Sequence, residues 1–235
     1  MITLKNLNVF VSEKQILKNI NFDFKKEKVY ALMGPNGSGK STLANILIGH
    51  PAYEIKSGKI FFEDKDITDL PVEKRAKKGI FLSFQQPLSL SGVNVFQLLR
   101  LALSGRKDPL ELKKEIDTLA KKLKIKKELI QRSLNDGASG GERKKMEVLQ
   151  AAVLEPKFLI FDEIDTGVDV DALKTIASFI ADFKKERTIL MITHYNRILR
   201  YLKPDKVLVM INGEIKKVGD HKLAEEIERE GYEKN

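Results

Sequence analysis

The chain has 235 residues, of which 42% are apolar, and its 42 Lys and Arg against 33 Asp and Glu give a net charge of +9. It contains no cysteine, no run of 18 apolar residues and no signal-peptide pattern, which excludes disulfides, thiolate metal ligation and membrane insertion by a helix. We therefore expect a cytoplasmic protein, and no direct nucleic-acid contact, because the basic residues are interleaved with acidic ones and do not alternate with aromatics.

The first third of the sequence predicts strands around a glycine-rich turn. The apolar patterns indicate strands over residues 2–11, 15–24, 29–33, 58–63 and 80–83. The run 29–33 is entirely apolar apart from one tyrosine, and a helical pattern occupies residues 43–48. The order between them is buried strand, glycine-rich turn and helix, which is the context of a phosphate-binding loop.

Residues 85–136 differ in character from the segments on either side. Proline and glycine separate three helical patterns, over residues 95–103, 110–123 and 127–134. We interpret 85–136 as a helical subdomain inserted into an α/β core made of residues 1–84 and 137–235, all within one domain spanning 1–235. The alternative is that these helices simply cover the sheet.

The rest of the chain alternates between helices and strands. Helical patterns cover 142–154, 170–183 and 222–230, strands cover 158–161 and 188–193, and a hairpin joins 207–211 to 214–218 across Asn212-Gly213. In the helix 142–154 the apolar positions lie on one side and Arg143, Lys144 and Lys145 on the other. This alternation predicts a largely parallel sheet with helices on its faces.

The glycine-rich turn contains the residue types that bind phosphate. Its glycines allow the backbone to approach an anion, and its N–H groups and the positive end of the next helix point towards that anion. Lys40 can reach the β- and γ-phosphates of a nucleotide, Ser41 can ligate Mg²⁺, and Thr42 can support the phosphates. The predicted ATP-binding residues of this turn are Gly34, Pro35, Asn36, Gly37, Ser38, Gly39, Lys40, Ser41 and Thr42.

Two carboxylates, Asp162 and Glu163, follow the apolar run 158–161. Ligands bind at the carboxyl ends of strands in an open parallel sheet, so we expect both carboxylates near the phosphate loop. Asp162 can hold Mg²⁺ through its water shell, and Glu163 can orient or deprotonate an attacking water. The alternative is a strand that simply runs into an acidic turn.

A second helix start carries small residues. Ser139 is a plausible N-cap whose capping box is completed by Glu142, and Gly140 and Gly141 leave the helix N-terminus open to an anion. The structural role and the anion-binding role are compatible with each other.

Taken in order, these motifs resemble those of the ATP-binding cassette (ABC) ATPases over essentially the whole chain. The resemblance implies a P-loop NTPase fold with a mostly parallel core, an antiparallel N-terminal β subdomain and a helical insertion. It further implies catalytic roles for Glu163, His194 and Gln85, with Gln85 also on Mg²⁺ and favoured over its neighbour Gln86. Other nucleotide contacts implied by the resemblance are Ser139, Gly140, Gly141 and Asp169, and Val11 where many members have an aromatic residue on adenine.

Within this family, five stretches resemble the SufC family, the ATPase subunits of Suf iron–sulfur cluster assembly systems. They are residues 33–41, 84–87, 149–156, 162–173 and 193–199. The resemblance implies SufB- and SufD-type scaffold partners, a transient ATP-dependent head-to-tail homodimer, and no cluster on this chain. The alternatives are the nucleotide-binding subunit of a membrane transporter and, with less support, a DNA- or translation-associated ATPase.

Overall fold

The computed structural model describes residues 1–103 and 105–232, so residues 104 and 233–235 of the predicted 1–235 domain lie outside the described residues. These residues form two sheets. The first is antiparallel, in the order β2-β1-β4-β5, and consists of β1 (Ile2–Val11), β2 (Lys14–Phe24), β4 (Glu54–Phe62) and β5 (Lys65–Asp66). The second, in the order β10-β9-β3-β8-β7-β6, consists of β3 (Val29–Met33), β6 (Ile80–Ser83), β7 (Phe158–Asp162), β8 (Thr188–Ile192), β9 (Lys206–Ile211) and β10 (Glu214–Gly219). Only β10 is antiparallel to its neighbour in the second sheet.

Helices connect the strands of the second sheet and cover both of its faces. They are α1 (Lys40–Ile48), α2 (Val72–Lys77), α3 (Val95–Leu103), α4 (Pro109–Lys122), α5 (Lys127–Gln131), α6 (Gly140–Leu154), α7 (Val170–Phe183), α8 (Asn196–Leu202) and α9 (His221–Glu230). Within the described part of the chain, none of these helices combines the length and apolar character that crossing a bilayer requires.

Successive residues of the central strands enter two different apolar clusters. In β3, Ala31 and Met33 pack with the cluster that contains α3, α4, α6 and α7, whereas Tyr30 and Leu32 pack with α1 and the first sheet. This two-residue period follows from the alternation of side chains along a strand. Because the first cluster runs without a break from α3 and α4 through α6 to the sheet, the subdomain boundaries at 85 and 136 stay a prediction.

The largely parallel sheet and the hairpin across Asn212-Gly213 are confirmed. Asn212 and Gly213 have φ of 50° and 81°, as a tight hairpin turn with two left-handed residues requires. Several boundaries were wrong: the helix predicted from residue 43 begins at Lys40, and the helix predicted over 127–134 ends at Gln131. The strand predicted from Gly58 begins at Glu54, because its pairing with β1 continues past an irregularity in register at Gly58.

The short helices α2 and α8 have no counterpart in the sequence prediction. Helix α2 carries Arg75, a buried guanidinium that is 1% exposed. It donates to the carbonyl oxygens of Ile46 and Leu47 at the end of α1, at 2.7 and 3.1 Å, and to those of Leu70 and Thr68 at 2.8 and 2.7 Å. Arg75 therefore satisfies carbonyls that the end of α1 leaves without an intrahelical partner.

Replacing this guanidinium should destabilise the fold. In Arg75→Met four carbonyls lose a charged donor, and those of Ile46 and Leu47 remain buried, so we expect the free energy of unfolding to fall by about 2–4 kcal/mol. Urea unfolding measures the change. The exposed neighbour Lys74→Met is the matched control and should change stability by less than about 0.5 kcal/mol. Equal stability of the two variants would contradict the role assigned to Arg75.

Candidate active site

The glycine-rich loop joins β3 to α1 and is shaped by three residues in unusual backbone conformations. Gly34, Gly37 and Gly39 have φ of 157°, 76° and 106°. A Cβ on Gly34 would lie 2.1 Å from the carbonyl oxygen of Met210, so that position excludes any side chain. No side chain caps the N-terminus of α1 at Gly39, which leaves its first N–H groups available to an anion.

The Lys40 side chain is buried inside this loop. Its ammonium donates to the carbonyl oxygens of Gly34 and Pro35, at 2.9 and 3.0 Å. Burial lowers the pKa of Lys40, while Glu163 and Asp162 act in the opposite direction. The loop therefore holds a positive charge next to the two carboxylates that were predicted to share its site.

Asp162 ends β7, and its carboxylate is 4% exposed. Burial raises the pKa of Asp162, with the Ser41 hydroxyl opposing the rise and the negative charge of Glu163 adding to it. Its Oδ1 has no hydrogen-bond partner among the described residues. A buried, unpartnered carboxylate oxygen close to a hydroxyl fits a hard cation such as Mg²⁺, which takes few protein carboxylates and completes its shell with water and phosphate oxygens.

Glu163 lies between two side chains from neighbouring segments. Gln85 Nε2 donates to Glu163 Oε2 at 2.7 Å, and His194 Nε2 lies 3.1 Å from Glu163 Oε1. The Glu163 side chain is 13% exposed and that of His194 is 22% exposed, so both are shielded but remain in reach of solvent. Of the three residues predicted as catalytic, Gln85 and His194 are thus both in direct contact with the third, Glu163.

Ser139, Gly140 and Gly141 open helix α6. The predicted capping box is present: Glu142 N donates to Ser139 Oγ at 3.3 Å, and Ser139 N donates to Glu142 Oε2 at 2.9 Å. A Cβ on Gly140 would lie 3.0 Å from Gly167 O, and the nearest neighbours of Gly141 come from the same 167–172 segment. Ser139–Gly141, which we call the signature segment, therefore packs against the residues that follow Glu163 and presents exposed Ser139 and Gly140 to solvent.

The two remaining predicted contacts lie at the edges of this region. Asp169 caps α7, since its Oδ1 accepts from Ala172 N at 2.8 Å. Val11 ends β1 and pairs with Lys14 across a tight turn. The strand after that turn, β2, meets the phosphate loop, because a Cβ on Gly39 would lie 2.7 Å from Leu17.

Comparison with known proteins identifies the family. A sequence model described as ABC transporter matches residues 17–166. The chain belongs to the ABC transporter family. It is 42% identical over 99% of its length to the probable ATP-dependent transporter ycf16 of Antithamnion sp., covering 96% of that protein, and 43% identical over 99% to Vegetative protein 296 of Bacillus subtilis, covering 92%.

Solved structures have the same fold. The ATP-binding cassette MJ0796, solved as a dimer in a post-hydrolysis state with ADP and Pi, superposes with a TM-score of 0.82 at 21% identity, over 94% of this chain and 99% of that one. The cbiO1 subunit from Clostridium perfringens superposes with a TM-score of 0.78 at 29% identity, over 98% and 91%. The chain is thus an ABC ATPase that binds ATP, with the P-loop NTPase fold that the motifs predicted.

A buried ion pair on α6 was missed from the sequence, and one prediction about that helix was wrong. Lys144, expected on the outer side, is 3% exposed, and its ammonium donates to the carbonyl oxygens of Phe84 and Gln85 at 2.9 and 2.8 Å. Glu147, one turn later, accepts from Phe84 N at 2.7 Å. These bonds fix the backbone that carries Gln85, and their partners are 60 residues away in the sequence, where no local pattern indicates them.

The buried carboxyl of Glu147 should give the protein a pH-dependent stability. Burial raises its pKa from 4.5 to about 7, against the opposing effects of Lys144 and the Phe84 amide. The folded state then keeps a proton that the unfolded state releases, so wild-type stability falls as the pH rises from about 4.5 to 7. Glu147→Gln lacks this loss, and its stability relative to wild type should rise by about 2 kcal/mol between pH 5 and pH 8.

Urea unfolding of both proteins at the two pH values tests this expectation. Glu111→Gln, at an exposed position of α4, is the control and should follow the wild-type pH dependence. If Glu147→Gln and wild type lose stability equally between pH 5 and pH 8, Glu147 does not titrate in this range.

Proposed function

We propose that this ABC ATPase is the SufC-like subunit of an iron–sulfur cluster assembly complex, in which ATP hydrolysis drives shape changes of SufB- and SufD-type scaffolds. The observation that carries the proposal is the segment 162–173, which begins with Asp162 and Glu163 and resembles SufC sequences. Transporter ATPases usually have a Ser-Ala-Leu-Asp loop there, and this chain has Asp165-Thr166-Gly167-Val168-Asp169.

In the proposed reaction, two copies meet head to tail with two ATP molecules between them. The loop 34–42 of one copy and Ser139–Gly141 of the other hold each nucleotide, so ATP favours the closed dimer over the monomer. Val11 contacts the base in place of an aromatic side chain, and Asp169 lies at the shared interface.

The chemistry at each nucleotide needs a metal and a base. Ser41, Gln85 and Asp162 would hold Mg²⁺, which supplies charge neutralisation of the β- and γ-phosphates. Glu163 orients and deprotonates the attacking water, while His194 contacts the γ-phosphate. Gln85, which donates to Glu163 at 2.7 Å, links the base to the metal ligands.

Removing the base tests this assignment. General-base catalysis typically contributes about 10²–10⁴-fold, so Glu163→Gln should bind ATP, hydrolyse it slower by a factor in that range, and accumulate as a dimer with ATP. Phosphate release and size-exclusion chromatography with light scattering measure the two effects. Glu186→Gln, far along the chain after α7, should behave as wild type. Turnover near the wild-type rate in Glu163→Gln would refute the role of Glu163.

The partner-facing surface is proposed to lie beside Gln85. Phe84 and Leu88 are 54% and 63% exposed, and both lie within three residues of Gln85 in the sequence, so together they offer apolar area that a partner protein can cover. The helices between residues 95 and 131 extend this surface. A scaffold protein bound to this surface would lie next to Gln85, so a movement of Gln85 would change its contacts.

A transporter subunit is the second candidate function, because several relatives are named probable ATP-dependent transporters. Co-purification of the tagged chain from its own cells in mild detergent, followed by mass spectrometry, separates the two. Soluble SufB- and SufD-type proteins that raise ATPase activity when added back would support the proposal. A polytopic membrane protein would replace the Suf role by a transporter role and leave the nucleotide chemistry unchanged.

The exposed apolar surface gives a sharper version of this test. Leu88→Ser should weaken partner recovery about 10-fold or more, as loss of a central apolar contact at an interface does, without changing the basal ATPase rate. Val218→Ser, at a 43% exposed position of β10 outside this surface, is the matched control and should leave recovery unchanged. Equal recovery of the two variants would remove Leu88 from the interface.

A further inference from the structure

A buried hydrogen bond links the two segments that carry Glu163 and His194. Thr193 Oγ1 donates to Asp165 Oδ2 at 2.7 Å, and both side chains are fully buried. Asp165 comes two residues after Glu163, and Thr193 immediately precedes His194. The bond therefore lies directly behind the contact between Glu163 and His194.

The same hydroxyl also fixes the turn at His194. Thr193 Oγ1 accepts from Tyr195 N at 3.0 Å, which closes a short ring around the His194 backbone. Its one hydrogen has two acceptors within reach, Asp165 Oδ2 at 2.7 Å and Tyr195 O at 3.1 Å, and the shorter distance favours Asp165. The Thr193 hydroxyl therefore connects Asp165 to the turn at His194 through hydrogen bonds to both segments.

This arrangement carries a stability cost that packing alone does not explain. Asp165 Oδ1 has no hydrogen-bond partner among the described residues, and burial raises the pKa of this carboxyl despite the Thr193 bond. Buried unpaired carboxylate oxygens are expensive, and an apolar pair of similar volume is often equally or more stable. A polar pair at this position is therefore better explained by the geometry it imposes on its neighbours.

We propose that Thr193 and Asp165 are positioning residues that hold the His194 imidazole against Glu163 in the orientation used in ATP hydrolysis. The inference rests on the proposed role of His194 at the γ-phosphate. The hydrogen bond between Thr193 and Asp165 is a second connection between these two segments. The first is the backbone hydrogen bond from Glu163 N to Ile192 O at 2.9 Å. These two hydrogen bonds connect the end of β8 to the end of β7 next to Glu163 and His194.

The main variant is Thr193→Val, which removes the hydroxyl and keeps the shape of the side chain. We expect kcat for ATP hydrolysis by the full-length chain to fall about 10-fold, since a small displacement of a catalytic group has an effect of this order, with KM for MgATP changed less than about two-fold. Thr193→Ser restores the hydroxyl and should recover most of kcat. Asp165→Asn keeps an acceptor oxygen and should give a smaller loss than Thr193→Val.

Thr188→Val is a matched control at the start of β8, whereas Thr193 follows the end of that strand. Thr188 is also fully buried, and its hydroxyl accepts from Glu27 N at 3.1 Å and donates to Lys25 O at 3.3 Å. The substitution removes an equivalent buried hydroxyl without touching the catalytic pair. It should cost stability as Thr193→Val does and leave kcat unchanged, whereas equal losses of kcat in both variants would overturn the proposal.

A double-mutant cycle with His194→Ala separates positioning from general disruption. If Thr193 acts through His194, the 10-fold loss should shrink to less than about two-fold in the His194→Ala background. The same loss in both backgrounds would overturn the inference. A normal kcat in His194→Ala alone would instead refute the role of His194 in the proposed function.

Imidazole NMR tests the positioning without any turnover. The chain has three histidines, at positions 50, 194 and 221, so each ring signal can be assigned by substitution. Thr193→Val should shift the His194 signals and leave those of His50 and His221 in place, while Thr193→Ser and Thr188→Val should leave all three unchanged. An unshifted His194 signal in Thr193→Val would overturn the proposal whatever the kinetics show.

Discussion

The site depends on the order of three neighbouring parallel strands. β8 lies between β3 and β7, with Leu32 and Asp162 both paired to Ile192 in register. The segments that leave these three strands at the same edge are the phosphate loop, the Asp162-Glu163 pair and the Thr193-His194 turn. A phosphate cradle, two carboxylates and a histidine are thereby brought together although they are separated by more than a hundred residues of sequence, and no local preference could do this.

Several charged side chains near this edge of the sheet are buried. Lys40, Asp162, Lys144, Glu147 and Asp165 are all at most 5% exposed. Each is satisfied mainly by backbone groups or by one hydroxyl, and burial is the largest influence on the pKa of every one of them. In such a weakly screened environment each charge acts strongly on its neighbours, and a carboxylate oxygen without a partner is a site that a cation or a reacting group can use.

The sequence predicted what local patterns determine. The apolar run before Gly34, the capping box at Ser139 and the Asn212-Gly213 turn each depend on residues close together in the chain, and all three were found. Lys144 and Arg75 were not predicted as buried, because their partners are backbone carbonyls 60 and about 30 residues away. A long charged side chain is normally predicted to be solvent-exposed, because the sequence does not show which distant carbonyls accept its hydrogen bonds. The same limit applies to Thr193, whose partner Asp165 is 28 residues away.

Helix α6 connects two parts of the site that lie far apart in the sequence. Its first turn is the signature segment at Ser139, which faces solvent, and its second turn carries Lys144, which holds the backbone of Phe84 and Gln85. Because α6 is a continuous helix, a displacement of its N-terminus also moves the atoms that fix Gln85, and Gln85 donates directly to Glu163. The exposed end of α6 is thus connected to the Glu163 carboxylate through the bonds of Lys144 and Gln85, and the exposed side chains of Phe84 and Leu88 belong to the same segment as Gln85. Both surfaces proposed to meet other proteins are therefore connected to Glu163, the proposed base, through residues that lie outside the phosphate loop.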